Sequence, residues 1–227
     1  MKNARFATLL ILLLLVASGC HETTKPPVTT PALVANDTPA HAVERLVVSY
    51  ERKDESTFAG MFTGDYTFEF SNSTDPNLVT EYSTGWFKDD EKQASSHLFS
   101  GYTPPGQAQL EAASSIDINF AVTAPTDDNS SGVDPATHKF LATRVDGTIS
   151  IPEAGMEPLN FVMTNNYNVL YLVRGDVASN LDASQPADVQ HWYVYRWVDL
   201  SQASPSAHAG SFAAESATWS RVKAIYR

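Results

Sequence analysis

Met61-Phe62-Thr63-Gly64-Asp65-Tyr66-Thr67-Phe68-Glu69-Phe70 is the stretch from which the fold is read. Tyr66, Phe68 and Phe70 alternate with Thr67 and Glu69, and a period of two marks a strand with one aromatic face. Upstream the period is helical. Thr38 and Pro39 read as N-cap and first helical residue, and Val43, Leu46, Val47 and Tyr50 then fall on one stripe, which predicts a helix to about Arg52. Asp54 caps a second short helix through Phe62, whose apolar face is Phe58, Met61 and Phe62 and whose stop is Gly64.

Downstream, a polar loop covers Ser71 to Asn77. Asp89, Asp90 and Glu91 then open a third helix, Lys88 to Phe99, which closes at Gly101 as the helix dipole prefers. The rest reads as strands. Ile116, Ile118, Phe120 and Val122 alternate with Asp117, Asn119, Ala121 and Thr123, and further β-rich runs cover about 138–151, 159–174, 190–199 and 217–226. Strands in succession without intervening helices predict an antiparallel sheet.

The composition agrees with a packed domain. With 43% hydrophobic and 11% aromatic residues, the 227-residue chain can bury a core and is expected to form one main domain. Its formal net charge of -11 opposes any phosphate backbone and argues against nucleic acid as a partner.

The first twenty residues carry an address. Lys2 and Arg5 precede an apolar run from Phe6 to Val16, too short for a bilayer span, and Ala17-Ser18-Gly19 lead into Cys20. Residues 1–19 therefore read as a signal peptide, and the small residues before Cys20 resemble a bacterial lipobox. That resemblance implies cleavage before Cys20 and a diacylglyceryl group on its thiol, the only one in the chain. A cleaved secretory signal with an incidental cysteine is the alternative. Residues 20–38, with Pro26, Pro27 and Pro31 among threonines, read as the lipidated cysteine and a semi-extended tether. Loss of residues 1–19 removes Lys2 and Arg5 and leaves a net charge of -13, so attachment to an anionic membrane rests on the acyl chains. The expected location is the bacterial cell envelope, outside the cytoplasm and lipid-anchored to a membrane.

Residues 39–227 resemble the nuclear-transport-factor-2-like superfamily, which includes ketosteroid isomerases and SnoaL-like polyketide cyclases. The residues that carry the likeness are Arg52-Lys53-Asp54 leading to the aromatic strand, His191-Trp192-Tyr193-Val194-Tyr195-Arg196-Trp197 as a late strand, and Thr218-Trp219 to Tyr226 as a closing strand. The resemblance implies an α+β fold: a cone-shaped, curved antiparallel sheet of about six strands packed against three N-terminal helices. It places a general-base aspartate just after the first strand in isomerase-like members, a place held here by Phe70, which cannot accept a proton.

The candidate pocket is Tyr50, Phe68, Phe70, Phe120, Trp192 and Arg196. Tyr50 is either a pocket hydroxyl or a tyrosine at the core edge. Alternation places Arg196 on the face of Trp192, Val194 and Val198, where its guanidinium needs Glu69, Asp117 or a ligand carboxylate as acceptor. The opposite face then carries Tyr193, Tyr195 and Trp197. They form either a homodimer interface, as the resemblance implies, or a patch covered within the chain by the 176–189 or Ser201–Ser216 loop. The six histidines have no zinc spacing, and the Asp127-Asp128-Asn129-Ser130-Ser131-Gly132 turn ends on His138 where a calcium loop needs glutamate, so neither a metal nor a cofactor is expected. No catalytic residue is assigned. The expectation is a non-catalytic domain for a small apolar ligand or a protein partner, with a lyase or isomerase of polyketide-cyclase or ketosteroid-isomerase type as the alternative.

Overall fold

The computed structural model describes residues 32–70, 76–83, 85–106, 109–153, 157–201 and 215–227. Residues 1–31, on which the expected signal peptide, Cys20 and most of the expected tether fall, lie outside them, as do residues 71–75 of the expected polar loop.

The chain enters through helix α1 (Pro39–Arg52), where the Thr38 hydroxyl accepts the His41 N–H at 3.1 Å and proline occupies the first turn. Ala42, Val43, Leu46 and Tyr50 are buried along one stripe. Lys53, left-handed at φ 54, ends the helix, and the Asp54 carboxylate caps α2 (Glu55–Ala59) by accepting the Thr57 N–H at 3.0 Å. This second helix stops at Gly60, not at Gly64, because Phe62 already belongs to strand β1 (Phe62–Glu69) and pairs with Val194. Next come α3 (Pro76–Glu81), the two-residue β2 (Trp86–Phe87) and α4 (Lys88–Ser100). The acidic first turn and Gly101 stop expected for this last helix are both present.

Five strands then follow: β3 (Ser115–Val122), β4 (Thr126–Asp127), β5 (His138–Ile151), β6 (Leu159–Arg174) and β7 (Trp192–Asp199). A short β8 (Glu215–Ser216) precedes the final helix, α5 (Trp219–Ile225). The sheet runs β2-β1-β7-β6-β5-β3, with β4 beside β5 and β8 beside β6. It is curved and does not close into a barrel, so the fold is the expected α+β arrangement of a curved sheet against helices. Several details depart from expectation. Among the described residues four helices precede β3, the added one being α3, and the antiparallel rule has exceptions, since β1 pairs with β7 and β6 with β8 in parallel. A parallel pair needs a long connection, which the chain between Glu69 and Trp192 supplies to the first of them.

The 217–226 run is a helix, not a closing strand. Thr218 caps it by accepting the Arg221 N–H at 3.3 Å, and Trp219, Val222 and Tyr226 are buried at helical spacing. β-propensity is a weaker rule than a cap followed by an apolar stripe.

Two register shifts bend the long strands, one between Val145 and Gly147 on β5 and one where β6 passes Tyr171 and Leu172 against β7. Gly147, beside the first, is required by the close approach of β3. A Cβ there would lie 2.4 Å from the Asp117 carbonyl oxygen and 2.8 Å from Ile118 Cα, both backbone of the neighbouring β3. Gly147→Ala is therefore expected to destabilise the domain by about 1–3 kcal/mol, as for overpacking in general. Urea unfolding checks this, and an unchanged midpoint would show that β3 gives way freely.

Candidate functional site

The second register shift decides which side chains point inward on β7. Leu172 pairs with Val194 and Tyr171 with Arg196, so Tyr195 is the extra residue of a bulge and alternation reverses after it. Trp197 consequently faces the core, fully buried, and Arg196 faces out. On the outer face the Arg196 guanidinium donates to both oxygens of Glu69, at 2.6 and 3.0 Å, and lies 4.8 Å from the Tyr171 ring centroid. Glu69 is thus the acceptor among those expected, but the pair is outside the interior and Arg196 is not a pocket residue.

The aromatic trio is not a patch. Trp197 is in the core, and Tyr193 is buried under the loop between β6 and β7, with its hydroxyl donating to the Pro186 carbonyl at 3.0 Å. Tyr195 is half-buried and donates to Asp128 Oδ2 at 2.5 Å. Cover from the 176–189 loop is the alternative that the contacts bear out for Tyr193. That loop is fastened on β1, where Asn180 comes so near Gly64 that a Cβ would fall 2.3 Å from its carbonyl oxygen. The buried Lys88 ammonium secures it further, donating to the Phe62 carbonyl at 2.8 Å and to Asp182 at 2.9 Å.

Of the expected pocket residues, the structure gathers Tyr50, Phe68 and Phe120 inside the curve of the sheet. Phe70 lies at its margin, stacked on Tyr82 at 5.0 Å. Trp192 is buried elsewhere along β7, where Asn36 and Trp192 exchange hydrogen bonds of 2.9 and 3.0 Å. The interior is filled. Tyr50, Phe120 and Trp197 all pack on other aromatic rings, and Trp197 stacks on Trp219 of α5 at 6.1 Å.

At the centre of this packing is a carboxylate that the sequence reading left at the start of a helix. Glu91 has no exposed surface. Its Oε1 accepts the Tyr50 hydroxyl at 3.1 Å, and its Oε2 accepts the Tyr66 hydroxyl at 3.3 Å, the Trp86 indole N–H at 2.9 Å and the Lys223 ammonium at 2.8 Å. A legible signal did exist, since Glu91 shares the stripe of Ala94, Ser95 and Leu98, the buried face of α4. Lys223 was hidden by the strand reading of its segment.

Burial pushes the Lys223 ammonium down to about 8, against the pull of Glu91 and, more weakly, of Asp199. Burial first, and then the Glu91 charge, hold the Tyr50 and Tyr66 hydroxyls well above their ordinary value. Asp199 is itself buried and engaged, accepting the Ser201 N–H at 2.8 Å and the Ser220 hydroxyl. The pair is an acid and a base in contact, yet every oxygen of Glu91 is already hydrogen-bonded. Beside it, between α4 and α5, Ala94, Ser95, Leu98 and Val222 line a recess of about 10 Å³, room for one water molecule.

Among the described residues no group of three acidic, histidine or cysteine side chains converges as metal ligands. In the Asp127–Gly132 turn, Asp128 is occupied by the Ser130 N–H at 2.9 Å, the Ser130 hydroxyl and Tyr195. No helix among the described residues is long and apolar enough to cross a membrane.

No family model matches the chain, and no curated protein matches it. Solved structures do. A ketosteroid isomerase-like protein from Erwinia carotovora atroseptica is similar at 12% identity and a TM-score of 0.41, over 71% of this chain and 93% of that one. An NTF2-like protein of unknown function in nutrient uptake from Rhodospirillum rubrum is similar at 13% identity and a TM-score of 0.39, over 73% and 98%. An NTF2-like superfamily protein from Salmonella enterica has 8% identity and a TM-score of 0.38, over 75% and 92%.

The buried lysine predicts a pH dependence. Between about 8 and its ordinary 10.5 the unfolded chain holds a proton on Lys223 that the folded chain has released, so folding grows more favourable as pH rises through that interval. Above the ordinary tyrosine value of 10.0 the trend is opposed, because Tyr50 and Tyr66 stay protonated when folded and ionise when unfolded. Denaturant unfolding should therefore show stability climbing from about 8 to 10. Lys223→Met should flatten the climb, and an unaltered slope in that variant would remove Lys223 as its cause.

Proposed function

We propose that the protein is a membrane-anchored bacterial lipoprotein of the cell envelope whose folded domain is a non-catalytic, NTF2-like interaction module. One observation supports the interaction reading above others: among the described residues the inside of the sheet is packed with the chain's own aromatic rings around a carboxylate whose two oxygens are both hydrogen-bonded. Of the spaces among the described residues, the recess beside Lys223 is more than an order of magnitude smaller than the about 300–1,000 Å³ of an ordinary ligand pocket. Partner contact then falls to the outside of the sheet. The exposed Tyr167 and Leu200 meet there through a 2.7 Å backbone hydrogen bond, beyond the half-buried Phe140, Tyr171 and Val198. A second copy of the chain is the partner proposed, through this face and not through the trio first expected.

An isomerase or lyase acting on a small apolar substrate is the second reading. What favours it is the contact of two ionisable groups, Glu91 and Lys223, at 2.8 Å, with Lys223 brought near neutrality. Catalysis there requires α5 to withdraw and admit a substrate.

Three measurements test these statements. Cys20→Ser is expected to move the protein from the detergent phase to the aqueous phase, and continued membrane sedimentation of that variant would refute the anchor. Sedimentation equilibrium of the soluble variant is expected to show a dimer that Leu200→Lys weakens, whereas a monomer throughout the micromolar range would refute the second copy. A turnover abolished by Glu91→Gln with the fold intact would replace the non-catalytic reading with the enzymatic one.

A further inference from the structure

Lys223 occupies surroundings that suit an ammonium group and little else. Its Nζ lies 3.9 Å from the ring centroid of Phe68 and 3.9 Å from that of Trp197, and it donates to Glu91 at 2.8 Å. Ring faces attract cations through their quadrupoles within about 6 Å, and more strongly when water is excluded, as it is here. A carboxylate opposite two ring faces selects for positive charge, and beside the Tyr66 and Trp86 donors its Oε2 takes one N–H from the ammonium.

The cage does not belong to the helix that fills it. Phe68 is on β1, Trp197 on β7 and Glu91 on α4, whereas Lys223 comes from α5, a helix of seven residues. Glu91 is oriented by Tyr50, Tyr66 and Trp86, none of which depends on the lysine. The adjoining recess between α4 and α5 is walled by Ala94, Leu98 and Val222, so the surroundings of an alkyl stem standing in the place of the Lys223 side chain are apolar. We propose that Glu91, Phe68 and Trp197 form a binding site for a primary alkylammonium, which the chain occupies with its own Lys223 so that a ligand amine and α5 compete for it. This goes beyond the interaction reading and does not depend on the lipid anchor.

The test uses the full chain with Lys223→Ala, titrated with n-propylammonium chloride and, as the neutral isostere, 1-propanol. The readouts are the thermal midpoint and the fluorescence of the tryptophans, two of which adjoin the emptied position. A saturable rise in midpoint with the amine alone is expected. In wild type, where the site is filled, the same response should need about tenfold more amine or not occur, and Glu91→Gln in the Lys223→Ala background should weaken binding by about tenfold or more, the loss of one charge-assisted contact. Equal responses to amine and alcohol, no response to either, or the same response in wild type would each overturn the proposal. Should Lys223→Ala fail to fold, it is refolded from urea with each compound. Recovery of native fluorescence with the amine but not with the alcohol supports the site, and failure to recover with the amine refutes it.

Discussion

A carboxylate with no exposed surface stands where five elements meet. Glu91 reaches from α4 to a tyrosine of α1, a tyrosine of β1, the tryptophan of β2 and the lysine of α5. An ionised carboxylate left unpaired in such a place would cost several kcal/mol, so each donor has to be delivered at the same point. That requirement ties the first helix, β1, β2 and the last helix to one another across more than a hundred residues of chain. Apolar packing alone would accept many small rotations of α5, whereas a lysine meeting a carboxylate accepts few.

The aromatic rings follow from the same point. Phe68, Trp197 and Trp219 crowd the ammonium and present their rings to it. A sheet curved around helices can hold a ligand or can hold its own side chains, and here large rings take the available volume. Fold and function thus separate: a curved α+β sheet is compatible with an enzyme and with a binding domain alike. The outer face has its own order, with Arg196 bridged to Glu69 and laid on Tyr171, which neutralises its charge without burying it.

How far the sequence could be read depends on the range of the interaction concerned. Local signals were enough for α1, α4 and the bounds of β5 and β6, because caps, dipole preferences and alternation act within a few residues. The interior positions of Phe68 and Phe120 also followed from their period, whereas Tyr50, expected in a pocket or at the core edge, is fully buried on Glu91. What failed was parity. A single bulged residue at Tyr195 exchanged the faces of Arg196 and Trp197, and no pattern in Trp192–Asp199 announces it, since both registers place aromatics on alternate positions.

The sequence by itself thus determined α1, α4, β5 and β6, the aromatic character of the core and the expectation of an address at Cys20, all matters of local composition and period. Only the tertiary structure decided that the 217–226 segment docks as a helix, that Lys223 finds Glu91 at a separation of 132 residues, and that the space inside the sheet is filled. The physical reason is that a buried charge selects its partner by position in space, through desolvation and Coulomb attraction, and position in space is a property of the whole chain.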